Sequence, residues 1–162
     1  MLGLSILGVV HTLASLIAIA CGVIALAKRN EISLGTTLGK LYGATTAITA
    51  ATALGLFAHG RFGPAHMLAL LTLGALAVAW VAQATRVFGR ASRLLHMASL
   101  SATMLFHAIP GVTEALTRLP LGAPMLPSPE APQFKPIYAA LLLIFIVGLA
   151  LQVRWLRRQG GV

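Results

Sequence analysis

Apolar residues run in long blocks along this chain, and polar residues gather in the short segments between them. A bilayer core of ~30 Å takes about 20 helical residues at 1.5 Å each, and five stretches approach or meet that length: 2–27, 37–58, 65–85, 91–109 and 136–153. The first stops at Lys28-Arg29-Asn30, and the second at the Gly/Pro turn His59-Gly60-Arg61-Phe62-Gly63-Pro64. The third ends before Arg86-Val87-Phe88-Gly89-Arg90, and the fourth where Pro110-Gly111 should kink or end it. The fifth closes at Arg154-Trp155-Leu156-Arg157-Arg158. Between the last two lies a Pro-rich outer loop, 119–135, too dense in proline for helix or sheet. It is expected either as an extended cover over the bundle mouth or as a mere connector. The pattern predicts one all-α domain, a transmembrane bundle of five helices.

Composition agrees. Of 162 residues, 58% are hydrophobic and only 9% charged, against about 25% charged in an ordinary soluble domain. Such a chain could not cover its own core with polar surface, which excludes a water-soluble globular fold. Disorder and collagen are excluded too, and the single Cys21 leaves no disulfide scaffold or Cys-based metal motif.

Charge sets the direction. Lys28, Arg29, Lys40, Arg86, Arg90, Arg93, Arg154, Arg157 and Arg158 fall on one side of the predicted membrane, and Arg61, Arg118 and Lys135 on the other. The Lys/Arg-rich side is cytoplasmic, so the N-terminus is expected outside and the C-terminus inside, in a bacterial inner membrane. The net charge of +9 then reflects orientation and contact with anionic headgroups at the cytoplasmic face, with no nucleic acid as partner. The first stretch is expected to stay in the protein. Ala25-Leu26-Ala27 looks like a signal cleavage site, but no basic segment precedes the run and its charges follow it.

Small residues mark helix contacts in lipid. Gly35, Gly39 and Gly43 form a ridge of four-residue spacing, continued by Ala47, Ala51 and Gly55. It reads as packing within one bundle or as the seam of a homo- or hetero-oligomer. Thr45, Thr49 and Thr52 form a second stripe, either bonded to their own backbone or lining a polar pathway.

Five histidines need explaining, because ionisable residues inside a span are costly and usually face the bundle interior or a cavity. Counting turns from the cytoplasmic ends puts His11 and His107 roughly 24 Å up, His66 roughly 28 Å and His59 roughly 33 Å. His96 sits at the cytoplasmic end. Beyond His107, Glu114 and Arg118 share its face if the helix continues past Pro110. Glu114 is then a fourth ligand, a partner orienting an imidazole, or simply the mate of Arg118. The histidines are either structural, bonded to backbone, water or headgroups, or they carry chemistry, and two chemistries suit this set. His11 and His107 match in depth as cofactor ligands of a haem b, and His11, His66, His107 and Glu114 match in type as ligands of a transition metal such as zinc or copper. No HExxH or CxxC motif is present, and no acid sits level with Ser92, Ser99 or Ser101 to support nucleophilic catalysis.

His11, the Leu38-Gly39-Lys40-Leu41-Tyr42 segment and the Phe106-His107-Ala108-Ile109-Pro110-Gly111-Val112-Thr113-Glu114 stretch resemble an uncharacterised family of small bacterial multi-span integral membrane proteins, with His96-Met97 a partial match to a further feature. The resemblance implies location and architecture, not mechanism. The expected function is a small inner-membrane protein with an outer-side histidine cluster, binding haem b or a metal ion in electron transfer. The alternatives are a non-catalytic accessory subunit of a membrane complex and a small-solute or proton carrier.

Overall fold

A computed structural model describes residues 5–56 and 62–160. The start of the first stretch, the end of the second, and His59 and Arg61 lie outside the described residues. Among the described residues the chain forms five α-helices and no strand: α1 Ile6–Arg29, α2 Thr37–Leu54, α3 Pro64–Thr85, α4 Ser92–Arg118 and α5 Phe134–Arg158. One 3-10 turn, Gly89–Ala91, precedes α4.

The helix ends have local causes. The Ser5 hydroxyl accepts the Gly8 N–H at the start of α1, and Asn30 closes that helix in the left-handed conformation (φ 60°), donating its N–H to the Leu26 carbonyl. Thr36 caps α2 through the Gly39 N–H. Pro64 opens α3 at the first helical position, where its missing N–H costs nothing. Arg86, at φ 51°, ends it.

α1 to α4 form a closed ring in which each helix touches the next and α4 returns to α1, while α5 packs chiefly on α4. The core is built from Ala18, Cys21 and Ala25 of α1, Ile32, Tyr42 of α2, Ala79 of α3 and Leu100 of α4. Small residues on α1 allow this closeness: a Cβ at Gly22 would press into the Tyr42 ring and the Met104 sulfur. Large apolar side chains point outward instead, among them Leu13 and Leu16, Leu71 and Trp80, and Leu143 and Ile144. Among the described residues, α1, α3 and α5 are long and apolar enough to cross a membrane. α2 and α4 carry most of the interior Thr, Ser and His residues, which lowers their hydropathy.

Two expectations change. First, α4 does not end at Pro110 but runs on to Arg118. Proline removes one N–H and the ring here is exposed, so the next turn closes and Glu114 pairs with Arg118. Second, the proline-rich segment is not an extended cover. It doubles back through turns onto the end of α4, with the Leu126 N–H on the Leu116 carbonyl at 2.9 Å, and leaves Leu121 and Met125 exposed. Two glycines of the ridge pack within the chain, against the connector before α2. Gly39 lies against the Ser33 carbonyl and Gly43 against the Leu34 side chain, so the 30–36 connector folds back over the start of α2.

Polar bonds fasten α5. Tyr138 donates to the Thr113 hydroxyl (2.7 Å), Ser101 donates to the Gln152 side-chain oxygen (2.7 Å), and the Gln152 amide reaches the Asn30 carbonyl (2.9 Å). Arg93 binds Glu31 and Gln159 and stacks over Trp155. The ends of α1 and α5 and the start of α4 therefore meet at one end of the bundle.

Candidate functional site

α2 presents Tyr42, Thr46 and Thr49 to the bundle interior, at spacings of four and three that place them on one face. Imidazoles from two other helices land on this face. His11 of α1 sits with Nδ1 3.0 Å from the Thr49 carbonyl and 3.2 Å from the Thr52 hydroxyl. His107 of α4, one turn away, has Nε2 3.1 Å from the Thr46 hydroxyl and Nδ1 3.3 Å from the Ser15 hydroxyl. Its ring meets Tyr42 edge-on at 6.3 Å.

Partner chemistry decides what each ring can do. A carbonyl only accepts, so Thr49 holds the His11 proton on Nδ1 and leaves Nε2 as its acceptor. His96 is locked further. Its Nδ1 donates to the Ala79 carbonyl (2.9 Å) while Nε2 accepts the Leu34 N–H (3.3 Å), so one neutral tautomer satisfies both bonds. His107 differs, because both its partners are hydroxyls, and a hydroxyl either donates or accepts. Either tautomer fits the same positions of the heavy atoms.

The four side chains expected as metal ligands do not assemble. His66 is buried at the start of α3, where Nδ1 accepts the Gly63 N–H (3.1 Å) and the ring stacks on Phe62. In the neutral ring its lone pair is therefore already engaged. Glu114 is exposed and tied to Arg118. Among the described residues, no group of three or more His, Cys, Asp or Glu side chains is arranged to hold a metal ion. A bis-imidazole haem fares no better, since it needs one nitrogen of each ring turned to the iron and both His107 nitrogens face hydroxyls. The residues present do not fit either group in this arrangement.

The threonine stripe divides along the same lines. Thr45, Thr49 and Thr52 donate to carbonyls of the preceding turn of their own helix. The threonine that engages an imidazole side chain to side chain at the deeper level is Thr46, outside the stripe. Ser15, Tyr42 and Thr103 also escape a search for ionisable residues, although the 42–46–49 spacing carries the signal. Tyr42 donates to Thr103 (2.6 Å), which donates in turn to the Leu100 carbonyl (2.7 Å). Tyr42→Phe is expected to cost about 1 kcal/mol in chemical denaturation of the detergent-solubilised protein, the net worth of one buried hydrogen bond. An unchanged midpoint would mean that the hydroxyl contributes nothing there.

Compared with protein-family models, curated proteins and solved structures, the chain matches none of them.

Proposed function

We propose that the chain is a small integral protein of a bacterial inner membrane, spanning it five times with the N-terminus outside, and that His107 with His11 forms a proton-accepting site within it. The class of activity is proton transfer, alone or coupled to passage of a small solute. The observation that carries this reading is the pair of hydroxyls on His107. An imidazole flanked by Ser15 and Thr46 takes a proton on one nitrogen and releases it from the other while the hydroxyls turn, with no change of heavy-atom positions. Ionisable groups within spans mark such relays. The charge asymmetry supports the orientation, because the ends of α1 and α5 and the start of α4 that cluster around Arg93 are the Lys/Arg-rich ends.

The test is proton flux into liposomes carrying the purified full chain, read by an internal pH dye under an imposed potassium diffusion potential. His107→Phe keeps a planar aromatic ring and removes both nitrogens, and it should cut flux by at least about tenfold, as expected for loss of a positioned proton-transfer group. His96→Gln should leave flux near the wild-type value. Flux no greater than in empty liposomes, or equal flux in His107→Phe, overturns the reading.

A further inference from the structure

At the opposite end of the bundle from His11, the 3-10 turn before α4 and the 30–36 connector line a half-open cavity of about 400 Å³, within the ~300–1,000 Å³ range of small-ligand sites. Arg86, Arg90 and Arg93 line it together with Glu31 and Ser92. Among the described residues the ion pairs are Arg93–Glu31 and Arg118–Glu114, so Glu31 compensates Arg93 and leaves the guanidinium groups of Arg86 and Arg90 without a counter-charge. No side chain caps the N-terminus of the 27-residue α4, whose positive dipole end adds to the same field. An independent observation points to a ligand. Among the described residues, the Ser92 hydroxyl, on a residue only 5% exposed, has no hydrogen-bond partner. A buried hydroxyl left in this state costs free energy, and a ligand oxygen in the cavity would relieve it. His96, also at the wall, is satisfied at both nitrogens and takes no part.

We propose that this cavity binds a phosphate group, carried by a soluble phosphate compound or by the headgroup of an anionic phospholipid. Phosphate suits the donors. Its several oxygens accept from two forked guanidinium groups and a hydroxyl at once, and Arg is the residue matched to that geometry. The site is separate from His11 and His107, and its test does not depend on proton flux.

Inorganic phosphate is titrated calorimetrically into the full chain in a neutral detergent. In parallel, the chain is recovered from nanodiscs of equal phosphatidylglycerol and phosphatidylcholine, and retained lipid is read by native mass spectrometry. Saturable phosphate binding assigns a soluble ligand, and preferential retention of phosphatidylglycerol assigns the headgroup. In either case the double variant R86Q/R90Q should weaken binding at least about tenfold, and added salt should weaken it in the wild type. Ser92→Ala should weaken binding by about threefold or more with an unchanged or raised unfolding temperature, because it deletes an unpaired buried hydroxyl. A merely structural serine would leave binding unchanged. Neither probe bound by the wild type, or equal binding by R86Q/R90Q, overturns the proposal.

Discussion

Gly39→Ala should lose about 3 kcal/mol of stability, although alanine is the better helix former by about 0.5–1 kcal/mol. The reason is the Ser33 carbonyl, which occupies the place of the new Cβ. That carbonyl accepts both the Thr36 N–H and the Thr36 hydroxyl, at 3.0 and 2.9 Å, and Thr36 in turn caps α2 through the Gly39 N–H. Pushing Ser33 away therefore adds loss of a helix cap, worth about 1 kcal/mol, to the steric cost. Gly43→Ala serves as the comparison. Its Cβ would meet only the tip of the flexible Leu34 side chain, so the cost should stay below about 1 kcal/mol. Denaturation of both variants in detergent measures the difference, and equal midpoints would show that the connector is not docked on α2 as described.

His96→Leu is the second large effect, expected at about 3 kcal/mol. The ring joins the α1–α2 connector to α3, and leucine can bond neither side. The Leu34 N–H would be buried without an acceptor, the Ala79 carbonyl would lose a bond, and the leucine would fill the space imperfectly. His96→Gln should recover part of the loss, since an amide offers both a donor and an acceptor. Hydrogen exchange at the Leu34 amide gives a local reading: strongly accelerated in His96→Leu and intermediate in His96→Gln. Protection unchanged in both would remove His96 from its role as the clasp.

These two sites show where sequence reading succeeds and where it stops. The five helices are legible because apolar runs, Pro64, the Asn30 cap and the basic clusters set their ends locally. Turn counting puts His11 and His107 level, whereas they meet α2 one turn apart, at Thr49 and Thr46. Helix rotation is not legible. His66 is expected near their level, yet it turns to cap its own helix at Gly63, a bond that a count of turns does not reveal. Thr46 and the stripe of Thr45, Thr49 and Thr52 are indistinguishable by composition, and only the azimuth of α2 against α4 puts Thr46 on His107. Pro110 misleads in another way. A proline stop holds where the lost bond cannot be spared, whereas α4 continues with Thr113 and Thr117 hydroxyls donating to carbonyls one turn back.

The attachment of α5 has a consequence for assembly. In hydrocarbon, a leucine gains little by leaving a lipid tail for another leucine, so the apolar surface of α5 gives it no preferred azimuth. Its orientation is set by the Tyr138–Thr113, Gln152–Ser101 and Arg93–Gln159 bonds, placed near the start, the lower third and the end of the helix. α5 thus works as an outrigger on three struts, which keep the same side turned to its neighbour.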